Sequence, residues 1–212
     1  MGNPIVVGVT GHRDLREEDL PLISKAVFQQ LEKIMKEYPN SQIIMLNSLA
    51  AGADVLCAKE ALKLAIPLYV PLPMELAEYR KDFNTSELEE FNTLIHQAKE
   101  VFVAPVQEAL PEKISRDFHY RQAGIYIANH CHLLFALWNG CEPRVNGCGT
   151  AETVDFLRNR KGAVVQFKVK RGKEVGPLDL EIILHEDGKG STRRRLNTID
   201  QHNQEGKRDI SI

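Results

Sequence analysis

The stretch PIVVGVTGHRDL, residues 4–15, decides the fold. Its first half, from Pro4 to Val9, is a short run of mostly β-branched residues, which is typical of a buried strand. The run ends in GHRD, residues 11–14, and Asp19 then stands as an N-cap before a segment whose apolar residues recur at helical spacing. A strand, a tight turn and an amphipathic helix in this order predict the first unit of a parallel α/β sheet.

The same alternation of apolar runs and helical stretches continues along the chain. It predicts an α/β domain built on a parallel sheet with helices on both faces. Further strands are expected at residues 42–46, 66–71, 101–104 and 133–138, and helices at 52–64, 86–99, 115–130 and 150–160. Two later apolar runs, residues 164–169 and 180–185, predict late edge strands, either as a hairpin or as two separate additions.

The composition changes after residue 185. Between residues 186 and 212 the apolar residues are only Leu196, Ile199, Ile210 and Ile212, too few to bury a core. We therefore expect a globular domain over residues 1–185 and a polar linker or tail over 186–212, with an effector or membrane domain beyond the tail as a candidate partner. The run of arginines at 193–195 is interpreted as a solvated part of this tail.

Charge and cysteine content limit the classes of partner and compartment. The formal net charge is -2 and the pI is near 6.4, so the composition gives no electrostatic reason to expect a stable nucleic-acid complex. The apolar runs are too short to span a bilayer. Four cysteines in a chain of 212 residues suggest free thiols in a reducing compartment, so we expect a cytoplasmic location.

The unusual stretches of the sequence follow the predicted strands. In parallel sheets these loops gather at one edge, where helix N-termini offer unpaired backbone N–H groups to a phosphate. The sequence contains neither GxGxxG after the first strand nor GxxxxGK[ST], which argues against an ordinary dinucleotide site and a P-loop. Candidate ligand-binding residues, taken from these loops and the helices beside them, are Gly11, His12, Arg13, Ser48, Gly52, Tyr79, Arg121, Gly147, Gly149 and Thr150.

No cofactor or metal site is predicted. The His130-Cys131-His132 run, together with Cys141 and Cys148, fits no common zinc spacing. Tyr79 has two interpretations, because its ring can stack on a base or pack beneath a lid. Trp138 is expected in the core or in the wall of the pocket.

Three motifs carry a resemblance to a known family. GVTGHRDL after the first strand, SLAAGAD after the second and NGCGTAE before the helix at 150–160 resemble the SLOG superfamily, over roughly residues 4–160. That group includes the Lonely Guy phosphoribohydrolases, the DNA-processing protein A domain and nucleotide-sensing modules of bacterial defence systems. The resemblance implies a Rossmann-like fold, and the GHR and GxGTAE motifs look closest to the sensor-type members.

The enzyme branch of this superfamily supplies the alternative function. Its arginine before the fifth strand matches Arg121, but its catalytic glutamate falls on Thr153 here, and Glu152 stands one residue early. A shift of one residue turns a side chain by about 100° around a helix, so Arg121 and Glu152 are catalytic candidates only. Arg121 is equally expected to form an ion pair with Asp117 or Glu152.

The sequence therefore predicts a module that binds or senses a nucleotide or a nucleotide-derived phosphorylated small molecule. We expect it to act as a homo-oligomer, with a dimer as the expected state. The alternative is a nucleoside-monophosphate phosphoribohydrolase of the Lonely Guy type. Single-stranded DNA binding is a third interpretation, which the near-neutral charge and scarce aromatic residues disfavour.

Overall fold

Eight strands form one sheet in the order β4-β3-β2-β1-β5-β6-β7-β8. The structure, a computed structural model, describes residues 2–140, 149–186 and 190–196. The strands are β1 Ile5–Gly11, β2 Ile43–Leu46, β3 Leu68–Leu72, β4 Glu100–Val103, β5 Leu133–Trp138, β6 Ala163–Lys168, β7 Leu180–Glu186 and β8 Gly190–Leu196. The helices are α1 Leu20–Glu37, α2 Ala53–Lys63, α3 Leu76–Tyr79, α4 Thr85–Gln97, α5 Arg116–His130 and α6 Thr150–Asn159.

Local sequence explains where the longer helices begin and which side they bury. The α4 helix starts with a capping box, in which the Asn84 side chain accepts from the Glu87 backbone N–H and Glu87 reaches back to the Asn84 N–H. Ser115 caps α5 by accepting from the Phe118 N–H. Helix α1 buries residues at helical spacing, including Ile23, and turns the rest to solvent.

The sheet carries a hydrophobic core on each face. One core joins alternate residues of β1, such as Val7 and Val9, to α1, α2 and α4. The other packs Leu134 and Ala136 of β5 against α5 and α6. Because β5 turns successive side chains to opposite faces, it contributes to both cores. The predicted α/β fold with helices on both faces is confirmed.

The six strands from β4 to β6 are parallel, and the late strands complete the sheet in two different ways. Strand β6 lies inside the sheet, parallel to β5 and antiparallel to β7, rather than at its edge. The edge itself is the hairpin of β7 and β8. A single run of alternating residues does not reveal its partner, so the sequence left this arrangement open.

The paired sheet extends past residue 185, because β8 comes from the stretch expected to form a tail. Strand pairing uses backbone N–H and C=O groups, so a stretch poor in apolar side chains can still add an edge strand. Residues 197–212 lie outside the described part of the chain. Within the described residues, none of the helices combines the length and apolar character that a membrane span requires.

Candidate functional site

The site lies where the direction of the chain connections reverses. Strands β1 and β5 are neighbours, but β1 leads towards β2 on one side and β5 towards β6 on the other. In open parallel sheets such a switch point leaves a crevice at the carboxyl ends of the two strands. A cavity of about 790 Å³ occupies this position. Its size is within the range of small-molecule pockets.

Most residues singled out from the sequence line this cavity. The lining includes Gly11, His12, Arg13, Ser48, Tyr79, Arg121, Gly149, Thr150 and Glu152. Gly52 is not part of it, and Gly147 lies outside the described residues. The loops after β1 and β2 therefore meet the start of α6 in space, although the sequence separates them by about a hundred residues.

The loop after β1 is held against the end of β5. A side chain at Gly11 would bring a Cβ within 2.4 Å of the Ala53 Cβ, so glycine permits the close packing of β1 on α2. The His12 backbone N–H donates to the Leu137 carbonyl, and the His12 Nε2 lies 3.1 Å from the Asn139 backbone nitrogen. Burial lowers the pKa of His12, so this ring forms a neutral wall of the pocket at pH 7.

Arg13 presents a cation to the pocket. Its guanidinium carbon lies 5.3 Å from the ring centre of Tyr120, a cation–π distance. The Tyr120 hydroxyl donates to Asp82, which also accepts from Arg116 at 2.6 Å. Arg13 forms no salt bridge with any carboxylate among the described residues. The Arg13 guanidinium is thus held in place by the Tyr120 ring, and its N–H groups can donate to an anionic group.

The loop after β2 is closed by the protein's own backbone. Gly52 has φ of 80°, and a Cβ there would lie 2.3 Å from the Arg13 carbonyl oxygen. The Ala53 N–H, the first of α2, donates to the His12 carbonyl at 3.0 Å. The Ser48 hydroxyl donates to the Pro71 carbonyl at 2.8 Å. Gly52 therefore allows the loop after β2 to contact the loop after β1. The His12 carbonyl takes the position at the start of α2 where a phosphate was expected.

Asp54 is the buried carboxyl group among the described residues that line the pocket. It is 6% exposed and lines the cavity from the first turn of α2. Burial raises its pKa to about 7, although a hydrogen bond from the Ala50 N–H and the nearby charge of Arg13 act in the opposite direction. From the sequence, Asp54 lies in the first turn of the helix expected at residues 52–64, but no local pattern indicates that its carboxyl group is buried.

Tyr79 packs in the core instead of offering a stacking face. Its ring is fully buried and makes edge contacts with Phe83, Phe91 and Tyr120 at centroid distances of 5.0, 5.5 and 6.1 Å. Of the two interpretations of Tyr79, the structure therefore agrees with packing of the ring in the core and not with stacking on a base. Its buried hydroxyl has no hydrogen-bond partner among the described residues, and the same holds for Nε1 of Trp138, which also lines the pocket.

Arg121 is engaged by two carboxylates. Its Nε and one terminal nitrogen bind Glu108 at 2.7 and 2.9 Å, and the other terminal nitrogen binds Glu152. The guanidinium also lies 4.9 Å from the ring centre of Phe156. The expected ion pair with Glu152 is present. Both catalytic candidates are thus neutralised by protein partners.

Thr153, where the enzyme branch has its glutamate, is enclosed. It is 7% exposed, and a Cβ on Gly124 of α5 would come within 2.6 Å of the Thr153 Oγ1. The Thr153 hydroxyl donates to the Gly149 carbonyl at 3.3 Å. The two helices α5 and α6 therefore cross closely at Thr153 and Gly124, and both residues line the pocket.

The start of α6 opens into the pocket. Gly149 is the N-cap, and as a glycine it has no side chain with which to cap the helix. The first backbone bond of α6 runs from the Thr153 N–H to the Gly149 carbonyl, so the N–H groups of Thr150, Ala151 and Glu152 have no partner within the helix. A Cβ on Gly149 would meet no atom of the described residues within 4 Å.

A segment that the sequence did not single out completes the site. The connection from β6 to β7 folds over the loop after β1, where Arg171 binds Asp14 at 2.9 and 3.0 Å. Glu174 accepts from Asn139 at 3.0 Å, and both Arg171 and Glu174 line the pocket. Sequence reasoning missed these residues because charged loop residues are common and their partners are distant, 157 positions away for Arg171 and 35 for Glu174.

Metal binding has no support among the residues that the structure describes, where no group of three His, Cys, Asp or Glu side chains could hold an ion. Cys141 and Cys148 lie outside those residues.

Comparison with known proteins supports the fold. No family model matches the chain, and none of the curated proteins matches it. The X-ray structure of DNA processing protein A from Streptococcus pneumoniae is similar, with a TM-score of 0.51 and 16% sequence identity. The match covers 77% of this chain and 50% of that one, so this chain corresponds to half of that protein. At this identity the likeness shows a shared Rossmann-like fold.

Proposed function

We propose that this protein binds a nucleotide or a nucleotide-derived phosphorylated ligand in the pocket between β1 and β5. The observation that carries the proposal is Arg13, a cation without a carboxylate partner among the described residues, in the same 790 Å³ cavity as the uncapped start of α6. A phosphate group accepts several hydrogen bonds at once. A guanidinium and N–H groups that have no partner within their helix are the donors that suit it.

The remainder of the pocket suits the less polar part of such a ligand. Its wall includes Trp138, Phe156, Ile127 and Pro73. A mixed lining of apolar surface and a few directed polar groups is typical of sites for small organic molecules. We infer that the phosphate lies near Arg13 and α6, and that the base or sugar lies against the apolar wall.

We infer sensing rather than hydrolysis as the role of this site. N-glycosidic hydrolysis needs a carboxylate directed at the sugar, where positive charge develops in the transition state. Here Glu152 is paired with Arg121, and Thr153 is packed against α5. These contacts favour a ligand that is bound and not cleaved, as in the sensor-type members of the SLOG superfamily.

A thermal-shift screen with AMP, cyclic AMP and ADP-ribose tests the proposal. At a hundredfold excess over the dissociation constant, a bound ligand adds about 2.7 kcal/mol of stability, which for a domain of this size raises the Tm by about 5–10 °C. Arg13→Ala should weaken the affinity about 10- to 100-fold, since it removes charge-assisted hydrogen bonds. Arg158→Ala, at an exposed arginine in the last turn of α6, is the matched control. No shift with any of these ligands at millimolar concentration would refute the proposal.

The enzymatic alternative is tested by chromatography for free base after incubation with AMP. We expect no release above background from the wild type. Turnover that disappears in Glu152→Gln would show that Glu152 reaches the sugar, and the protein would then be a phosphoribohydrolase.

We further propose that the protein acts as a homo-oligomer, with its signal passing through the assembly or through the residues after 196. Sedimentation velocity with and without ligand measures this state directly.

We also propose that the protein forms no stable nucleic-acid complex, because Arg121 and Arg171 in the pocket are already paired with carboxylates. Tight binding of a labelled oligothymidylate in fluorescence anisotropy would contradict it.

A further inference from the structure

The Asp54 carboxyl is only half satisfied by the protein. Its Oδ2 accepts from the Ala50 N–H at 3.2 Å, and no described residue forms a hydrogen bond or salt bridge with Oδ1. The side chain lines the same cavity as Arg13 while remaining 6% exposed. A polar group in this position has hydrogen-bonding capacity that a bound ligand can use.

The ionisable groups around Asp54 leave its charge poorly compensated. Arg13 approaches from the loop after β1 and is the cation that favours its ionisation, but the two side chains form no salt bridge. Tyr79 of α3 is close enough for the two groups to interact electrostatically, and the pKa of its hydroxyl is raised mainly by burial and then by Asp54. Cys57 and Glu60 follow on α2 itself. Burial outweighs Arg13, so the pKa of Asp54 reaches about 7.

An anionic ligand beside Arg13 changes the balance at Asp54. The ligand adds a second negative charge close to the carboxylate, and like charges disfavour ionisation. The protonated form has an O–H that can donate to a phosphate oxygen, whereas the carboxylate can only accept. Both effects favour the protonated form of Asp54 when the ligand is bound.

We propose that Asp54 binds the ligand as a neutral carboxylic acid, so that an anionic ligand enters the pocket together with one proton from solvent. The inference rests on the proposed function and adds a pH dependence to it. Asp54 becomes a donor in the site, and binding weakens as the solution becomes alkaline.

The test uses inorganic sulfate, which keeps the same charge throughout the neutral and alkaline range. Trp138, the single tryptophan of the chain, lines the pocket, so its fluorescence reports occupation at this site. Sulfate is titrated at constant ionic strength from about pH 7 to about pH 8.5, above the lowered pKa of His12. The proteins compared are the wild type, Asp54→Asn and Arg13→Ala. Asp155→Asn, at an exposed carboxylate of α6, is the control.

For uptake of one proton, the dissociation constant for sulfate should rise by up to about tenfold per pH unit in the wild type and in Asp155→Asn. Asp54→Asn, which cannot ionise, should bind with an affinity that does not change over this range. Arg13→Ala should bind more weakly at every pH. Circular dichroism verifies that each variant is folded.

Two results would overturn the inference alone: a wild-type affinity that does not depend on pH, or the same slope in Asp54→Asn as in the wild type. A Trp138 signal that does not respond to sulfate at any pH would count against the anion pocket itself, and both the proposed function and this inference would then fail. The two failures are therefore distinguishable.

Discussion

Replacing Asp54 by asparagine should stabilise the protein at alkaline pH. In the fold the pKa of Asp54 is raised from 3.8 to about 7, whereas in the unfolded chain the group ionises near its ordinary value. Because the pKa is higher in the folded state, the protonated Asp54 contributes its full stabilisation of the fold below about pH 4. This contribution of Asp54 is lost as the pH rises through the pKa that the group has in the folded protein. With 1.36 kcal/mol per pKa unit, the loss reaches at most about 4 kcal/mol above pH 7.

Asparagine has nearly the same shape and still accepts the Ala50 N–H, but it carries no charge that must be buried. We therefore expect the free energy of unfolding of Asp54→Asn to exceed that of the wild type by a few kcal/mol at pH 8. The difference should shrink towards zero near pH 4. For a domain of this size the corresponding rise in Tm at pH 8 is up to roughly 8–16 °C.

Urea unfolding at a series of pH values, followed by circular dichroism, measures this difference. Asp155→Asn, at an exposed position, should change the stability by no more than about 0.5 kcal/mol at any pH. If Asp54→Asn were less stable than the wild type at pH 8, the carboxylate would be compensated in the fold. The account of its burial would then be wrong.

Three other changes test the packing around the site. Gly52→Ala should cost about 1–3 kcal/mol in urea unfolding, because the positive φ is strained for alanine and its Cβ would overlap the loop after β1; an unchanged midpoint would contradict that geometry. Thr153→Glu should lower the Tm, because it places a charge at a position that is 7% exposed and packed on α5, and it should release no base from AMP, because Arg121 is already paired with Glu152; a stable variant that hydrolyses AMP would refute this. Truncation after Leu196 should leave the Tm within about a degree or two, because few apolar residues are lost, whereas truncation after His185 should lower it by several degrees through loss of β8. Equal effects of the two truncations would contradict the pairing of β7 and β8.

The sequence by itself determined the order of the first seven strands and of the five longer helices along the chain, and it indicated the edge of the sheet that carries the candidate site. Apolar runs and helix caps such as Ser115 act within a few residues, so their effect can be read locally. The sequence likewise singles out the loop after β1, with Gly11 and Arg13, as a candidate ligand-binding loop. Both residues line the pocket, and their contact with a ligand stays a prediction.

Only the tertiary structure decided which of the candidate residues are available to a ligand. Gly52 is committed to a contact with a neighbouring loop, and Arg121 is neutralised by Glu108 and Glu152, a residue 31 positions further along the chain. Asp54 acquired its unusual ionisation because helices and loops from distant parts of the chain exclude water around it. Burial and pairing are properties of the assembled fold, and no short stretch of sequence specifies them.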